Sequence, residues 1–166
     1  MRGWGTYFTK NKEVTGIPYS QNSQKYENDF LAVVDNSNFY TSSTSGSGKK
    51  QPYYGNDCSA YVSRCWQISR KTTYDFKSGI GNTYKKVGSY GSSPTIAELT
   101  KAYASLKRGD AIVKRQNSSG HVRLVMSVDT SKKIVYCYEQ TPPKTTTNTY
   151  TFSQLAKEGY LPFTKK

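Results

Sequence analysis

Apolar residues between Asn56 and Trp66 recur with helical spacing. Cys58, Tyr61, Val62, Cys65 and Trp66 fall at i, i+3, i+4, i+7 and i+8, which predicts one buried face of an amphipathic helix. Ser59, Ser63, Arg64 and Gln67 fall on the opposite side. Upstream, Tyr26, Phe30, Leu31 and Val34 have the spacing of a modest helix. Downstream, after Gly-rich turns over 79–91, Ser93-Pro94 supplies a cap and a first-turn proline for a short helix through Ile96, Leu99 and Tyr103. From 111 onward the pattern changes to strands at 111–114, 121–128 and 134–139, joined by turns short enough for an antiparallel meander. Pro142-Pro143 ends it. Residues 150–152 add a further strand, and 153–158 make a last helical turn stopped by Gly159. Helix first and sheet afterwards make an α+β domain.

At 166 residues the chain is expected to form a single domain, with an N-terminal arm over 1–15 and a flexible loop over 35–52 whose centre, Thr41 to Gln51, is of low complexity. An aromatic content of 14%, mostly Tyr, argues against disorder. No apolar run approaches the roughly 20 residues of a membrane span. Met1-Arg2-Gly3-Trp4 has no apolar segment behind it, so either the protein is cytoplasmic or a leader has been removed. The net charge of +13 suits an anionic partner: nucleic acid, anionic lipid or a wall polymer. Since the Lys and Arg residues are scattered and carry no nucleic-acid motif, nucleic acid is the least favoured of these.

Cys58, Cys65 and Cys137 form neither a CxxC nor a Cys/His cluster, so no metal site and no cofactor is expected. Cys65 and Cys137 read as buried small hydrophobes. Cys58 stands at the first turn of its helix, where unpaired N–H groups and the dipole favour an anion, and a lowered thiol pKa follows. Asp57, just before it, reads as the helix cap. The single histidine, His121, opens a strand directly after Gly120. A thiol on a helix start and an imidazole on a strand end are the parts of a cysteine hydrolase. Such a base needs an orienting partner. Strand alternation places Val135, Cys137 and Glu139 on one face and Tyr136, Tyr138 and Gln140 on the other. Glu139 is the expected third residue, where its carboxylate would favour the imidazolium, with Gln140 the alternative if a bulge swaps the faces.

Asp57-Cys58-Ser59-Ala60-Tyr61-Val62 resembles the nucleophile signature of the NlpC-type cell-wall peptidases. These papain-like enzymes are close kin of the cysteine, histidine-dependent amidohydrolase/peptidase domains. Leu106-Lys107-Arg108-Gly109-Asp110 is similar to their L-x-x-G-D turn, Gly120-His121-Val122 to their H-V strand start, and Gly16-Ile17-Pro18-Tyr19 to their G-x-P-Y segment. The match runs in the family's order from about residue 16 to 140.

The resemblance implies a papain-like fold, with N-terminal helices packed on an antiparallel sheet of about five strands. It also implies an extracellular or wall-associated enzyme that hydrolyses an amide in peptidoglycan stem peptides through a thioester. Cys58 would attack, His121 would serve as base and then acid, and Glu139 or Gln140 would orient the ring. The Cys58 N–H and Tyr19 would stabilise the oxyanion. Three departures stand out. The insertion before Cys58 is long and brings a second Pro-Tyr, so that Tyr53 or Tyr54 competes with Tyr19 for the oxyanion. Glu stands where the family usually has His, Asn or Gln. Arg123, at i+2 from His121, either packs its stem with the head in solvent or grips a substrate carboxylate. The competing readings are a non-catalytic basic module that holds wall polymer or nucleic acid, and a papain-like acyltransferase or protease with another substrate.

Overall fold

A computed structural model of the chain describes residues 50–166 throughout, and before them 13, 15–21, 23–24, 32–33, 35–36, 41–44 and 48. The expected arm over 1–15 and the expected helix from Tyr26 to Val34 fall almost wholly outside the described residues.

The first described strands are short. β1 (Ser23–Gln24) pairs in parallel with β4 (Tyr54–Gly55), and β2 (Ser42–Thr44) pairs antiparallel with β3 (Lys50–Pro52), inside the segment expected as a loop. α1 (Cys58–Cys65) follows, capped by Asp57, whose carboxylate accepts from the Ala60 N–H at 2.7 Å. α2 (Thr73–Gly79) lies in a stretch for which no element was expected, and β5 (Tyr84–Lys86) falls within the 79–91 stretch read as turns. The missed signal for α2 is the capping box of Thr72 and Asp75. α3 (Ile96–Tyr103) begins later than expected: its cap is Thr95, boxed with Glu98, rather than Ser93.

β6 (Ala111–Gln116), β7 (Ser119–Asp129) and β8 (Ile134–Thr141) are the expected meander, each one to three residues longer than the sequence pattern indicated. The chain turns back at Pro142-Pro143 into β9 (Lys144–Thr151), a Thr-rich strand of which only the end was anticipated. α4 (Phe152–Lys157) and β10 (Leu161–Lys165) close the chain. The main sheet has six antiparallel strands in the order β5-β10-β6-β7-β8-β9, not five. The extra strands were hidden by composition: β9 is polar, and β10 carries a Pro.

The sheet is covered on both faces, by α1 and α2 on one and by α3 and α4 on the other. Ala111, Val113, Val122 and Leu124 pack with Cys58, Val62 and Trp66 of the α1 segment and Phe76 of α2. Ile112, Val125, Val135 and Cys137 pack with Leu99, Ala102 and Tyr103 of α3 and with Phe152, Leu155 and Ala156 of α4. Burying two faces is what gives β6 and β7 their nearly continuous apolar runs. On the α1 face Trp66 sits among Phe76, Tyr84 and Phe163, with ring centroids 5.2 to 5.8 Å away. Its indole N–H donates to the Gly109 carbonyl at 2.7 Å, which ties α1 to the turn before β6.

Two glycines place the site. Gly55 runs so close to the Pro18 segment that a Cβ would lie 2.1 Å from the Pro18 carbonyl oxygen. A Cβ on Gly120 would stand 2.4 Å from the Thr73 hydroxyl oxygen, so α2 rests on the backbone immediately before His121.

Candidate active site

The helix that carries Cys58 keeps Cys58, Val62 and Trp66 of the expected face inside, with Tyr61 half-buried against them, but its buried surface extends beyond that face on one side and stops short of Cys65 on the other. Ser59 and Ser63 are inside and Cys65 is exposed. The reason is hydrogen bonding: the Ser59 hydroxyl donates to Asp57 at 2.9 Å, and the Ser63 hydroxyl donates to the Ser59 carbonyl at 2.7 Å and accepts from the Lys71 N–H at 2.9 Å. Short hydroxyl side chains thus pack against the 67–71 connection, which brings with it Arg70, 2.7 Å from Asp57.

Cys58 is buried, 6% exposed. Burial, and then the neighbouring Asp57 carboxylate, push its thiol up to about 12 despite hydrogen bonds from the Val122, Ser59 and Cys58 N–H groups. This reverses the lowering expected from the helix start: three amides and a dipole do not offset removal of the sulfur from water beside an anion. The resting group is a neutral thiol.

The Val122 contact locates the sulfur. Val125 N–H donates to the Asp110 carbonyl on the β6 side, so alternation turns the Val122 N–H toward β8. The β7–β8 pairing runs inward from Leu124 opposite Tyr138. The thiol therefore occupies the seam between β7 and β8 just beyond the last pair, entering from the α1 face.

His121 borders the same seam from the other face. It pairs with Lys114 across from β6, and by alternation it shares a side with Arg123 and Val125, opposite Val122 and Leu124. Its Nε2 lies 2.8 Å from Glu139 Oε2. Glu139 is 2% exposed and is held by three further groups: Arg123 Nε at 3.0 Å, Asn148 Nδ2 at 3.0 Å and the Tyr150 hydroxyl. Burial pushes its carboxyl up, but His121, Tyr150 and Arg123 outweigh that and hold it at about 2. An ionised carboxylate only accepts, so Nε2 carries a proton, and in the neutral ring Nδ1 is the nitrogen with the lone pair. No hydrogen bond joins Cys58 to His121 among the described residues.

Gln140 is on the Tyr138 side of β8 and does different work. Fully buried, it donates to the Ile17 and Pro18 carbonyls at 3.0 and 2.9 Å. Those bonds, with Tyr19 N–H to Pro143 O at 2.9 Å and Ser20 N–H to Asn56 O at 3.0 Å, moor the 16–20 segment beside the start of α1. Tyr19 lies close enough to Cys58 and Asp57 that its hydroxyl, already raised by burial, is raised further by both. Its oxygen accepts from Gln21 Nε2 at 3.1 Å. Of the competing tyrosines, Tyr19 is the one beside the thiol. Tyr54 is half-buried and stacks edge-on against Tyr53 at 4.8 Å.

Arg123 neither reaches solvent nor faces a cleft. It is 7% exposed, with its guanidinium 3.9 Å from the centre of the Tyr150 ring and 4.2 Å from that of Tyr160. Tyr150 and Asn148 went unnoticed in the sequence; their signal was two-residue alternation along a polar strand. A groove of about 490 Å³ opens on the α2 side, bounded by Tyr74, Lys77, Ser78, Arg115 and Asn117. It lies off the Cys58 seam, across from Gly120.

No protein-family model matches the chain, and no curated protein sequence matches it.

Proposed function

We propose that the chain is a cysteine hydrolase that opens an amide bond in peptidoglycan stem peptides at an extracellular or wall-associated site. The observation that carries the reading is the His121–Glu139 contact at 2.8 Å, which leaves Nδ1 as a base on the strand whose Val122 amide meets the Cys58 sulfur. The substrate class rests on the resemblance of the Cys58, Gly109-Asp110, His121 and Pro18-Tyr19 motifs to those of NlpC-type peptidases, and on a net charge of +13 suited to an anionic wall.

In this mechanism the substrate brings the two faces of the seam together. The Cys58 sulfur attacks the carbonyl carbon as its proton passes to Nδ1. The oxyanion is met by the Cys58 N–H and the Tyr19 hydroxyl. Nδ1 returns the proton to the leaving nitrogen, the C–N bond breaks and a thioester remains. Water, deprotonated by the same nitrogen, then releases the acid and restores the thiol.

A second reading has its own support. The buried, raised thiol without a bond to His121 suits a structural cysteine in a basic module that binds wall polymer. Mass spectrometry of sacculi treated with unsubstituted and Cys58→Ala protein separates the two. The hydrolase reading expects trimmed muropeptides from the first alone; equal products from both would remove Cys58 as the nucleophile, and none from either would favour the binding module.

A further inference from the structure

His121 and Arg123 both reach Oε2 of Glu139, at 2.8 and 3.0 Å, and an orienting carboxylate shared in this way cannot act as a free anion toward the ring. We propose that Arg123 is a positioning residue that neutralises Glu139, so that Glu139 aims the His121 imidazole without charging it and the resting pair is a neutral base facing a neutral thiol. The assignment rests on reading His121 as the base.

The charges around His121 cancel pair by pair. On β7 and β8 the guanidinium of Arg123 and the carboxylate of Glu139 form one buried ion pair, 9% and 3% exposed at the side chain. From β6, Lys114 Nζ is bonded to Glu158, beyond the end of α4, and lies 4.9 Å from the Tyr160 ring centre. Beside Cys58, Asp57 is paired with Arg70 at 2.7 Å, and the uncharged titratable groups among the described residues are Cys58 from α1, Tyr19 beside it, Cys137 on β8, Tyr150 on β9 and Tyr160 before β10. Burial raises each of these five, so that all are neutral at pH 7. Arg123 is locked in place by the two rings, while its Nη1 has no hydrogen-bond partner among the described residues. Such an arrangement fits a group kept for its charge and position rather than for a fork of hydrogen bonds. The expectation that Glu139 would favour the imidazolium treated the carboxylate as unpaired. Here it is not.

Because His121 is the only histidine, ¹⁵N-histidine labelling gives a single imidazole to titrate by NMR. The full chain is compared with Arg123→Met, Arg123→Lys, Glu139→Gln and the double variant Arg123→Met/Glu139→Gln. Removing the guanidinium while keeping the carboxylate is expected to raise the imidazole midpoint by about one pH unit or more. Arg123→Lys, which keeps the charge, should stay near the unsubstituted protein. If Arg123→Met fails to fold, the comparison moves to Glu139→Gln and the double variant, where no buried carboxylate is orphaned. There the lone guanidinium should hold the single variant's midpoint about a unit below the double's. Coincident midpoints within whichever pair is folded would overturn the proposal. These midpoints are read without turnover, so loss of the hydrolase reading, seen as undigested sacculi, leaves this result to be judged separately. Where sacculi are digested, the acidic limb of kcat/KM should move up with the midpoint in Arg123→Met.

Discussion

Gln140 fastens Pro18 to the sheet, its side-chain nitrogen 2.9 Å from the Pro18 carbonyl oxygen and 3.0 Å from that of Ile17. Residues 122 positions apart are thereby joined in a buried contact, and Tyr19 is carried to Cys58 with them. Gln140→Leu keeps the bulk and removes both of these bonds, leaving the Ile17 carbonyl to the Thr145 N–H and the Pro18 carbonyl to the Asn56 N–H. A loss of about 1–3 kcal/mol in urea unfolding is expected. The Tyr19 resonances should shift in the same variant, whereas a variant that merely lost stability would leave them in place.

The thiols should react in an order opposite to the one the helix start suggested. Cys65 is exposed, though desolvation raises its thiol as well, while Cys58 and Cys137 are buried with theirs raised to about 12. In native protein at about pH 7.5, roughly one unit below the ordinary thiol value, iodoacetamide should modify Cys65 first. Peptide mapping against time checks this. Fast labelling of Cys58 would mean that its sulfur is more open than the structure has it.

Asp57 caps α1 and its charge raises the Cys58 thiol. Asp57→Asn keeps an oxygen for the Ala60 N–H and removes the charge, so helix stability should fall by only a few tenths of a kcal/mol from capping. Its ion pair with the partly exposed Arg70 adds little. Alkylation of Cys58 in a Cys65→Ala background should accelerate, because the neighbouring anion no longer opposes the thiolate. An unchanged rate would show that burial alone governs it.

Stability should fall at both ends of the pH scale, for groups of opposite sign. Glu139 is held at about 2 in the folded chain, against an ordinary value of 4.5. Its contribution is therefore present above 4.5 and lost as pH falls through 2, a change on the order of 3 kcal/mol. Cys58 and Cys137 are shifted the other way, from an ordinary 9.0 to about 12. They support the fold fully below 9 and lose that support as pH rises toward 12. Urea midpoints measured from pH 2 to 11 check both limbs. Glu139→Gln should flatten the acid limb, and Cys137→Ala should soften the alkaline one.

The meander was legible because each strand carries its own apolar run or alternation and ends in its own turn, so β6, β7 and β8 needed no partner to be recognised. Thr-rich β9 and Pro-bearing β10 look like loops until Tyr150 and Asn148 are seen to hold Glu139 and Phe163 is seen to fill the space beside Trp66. The serine side of α1 was misread for a related reason. Periodicity counts apolar residues, whereas the Ser59 and Ser63 hydroxyls are buried by bonding to Asp57 and the Ser59 carbonyl, and Ser63 also accepts from the Lys71 N–H of the 67–71 connection.

What the sequence by itself determined is local: a capped helix opening on Cys58, a strand that carries the only histidine near its start, and the alternation that sets Glu139 apart from Gln140. Each depends on dihedral preferences and spacing within a few residues. Tertiary structure alone decided which charges those groups feel. The Cys58 thiol is raised because packing removes water around it, and Glu139 has Arg123 3.0 Å away because that guanidinium is held between Tyr150 and Tyr160. Desolvation and through-space charge depend on neighbours distant along the chain, and on which face of the sheet each one covers. That is also why the thiol and the imidazole, on the elements expected of them, approach one seam from opposite sides.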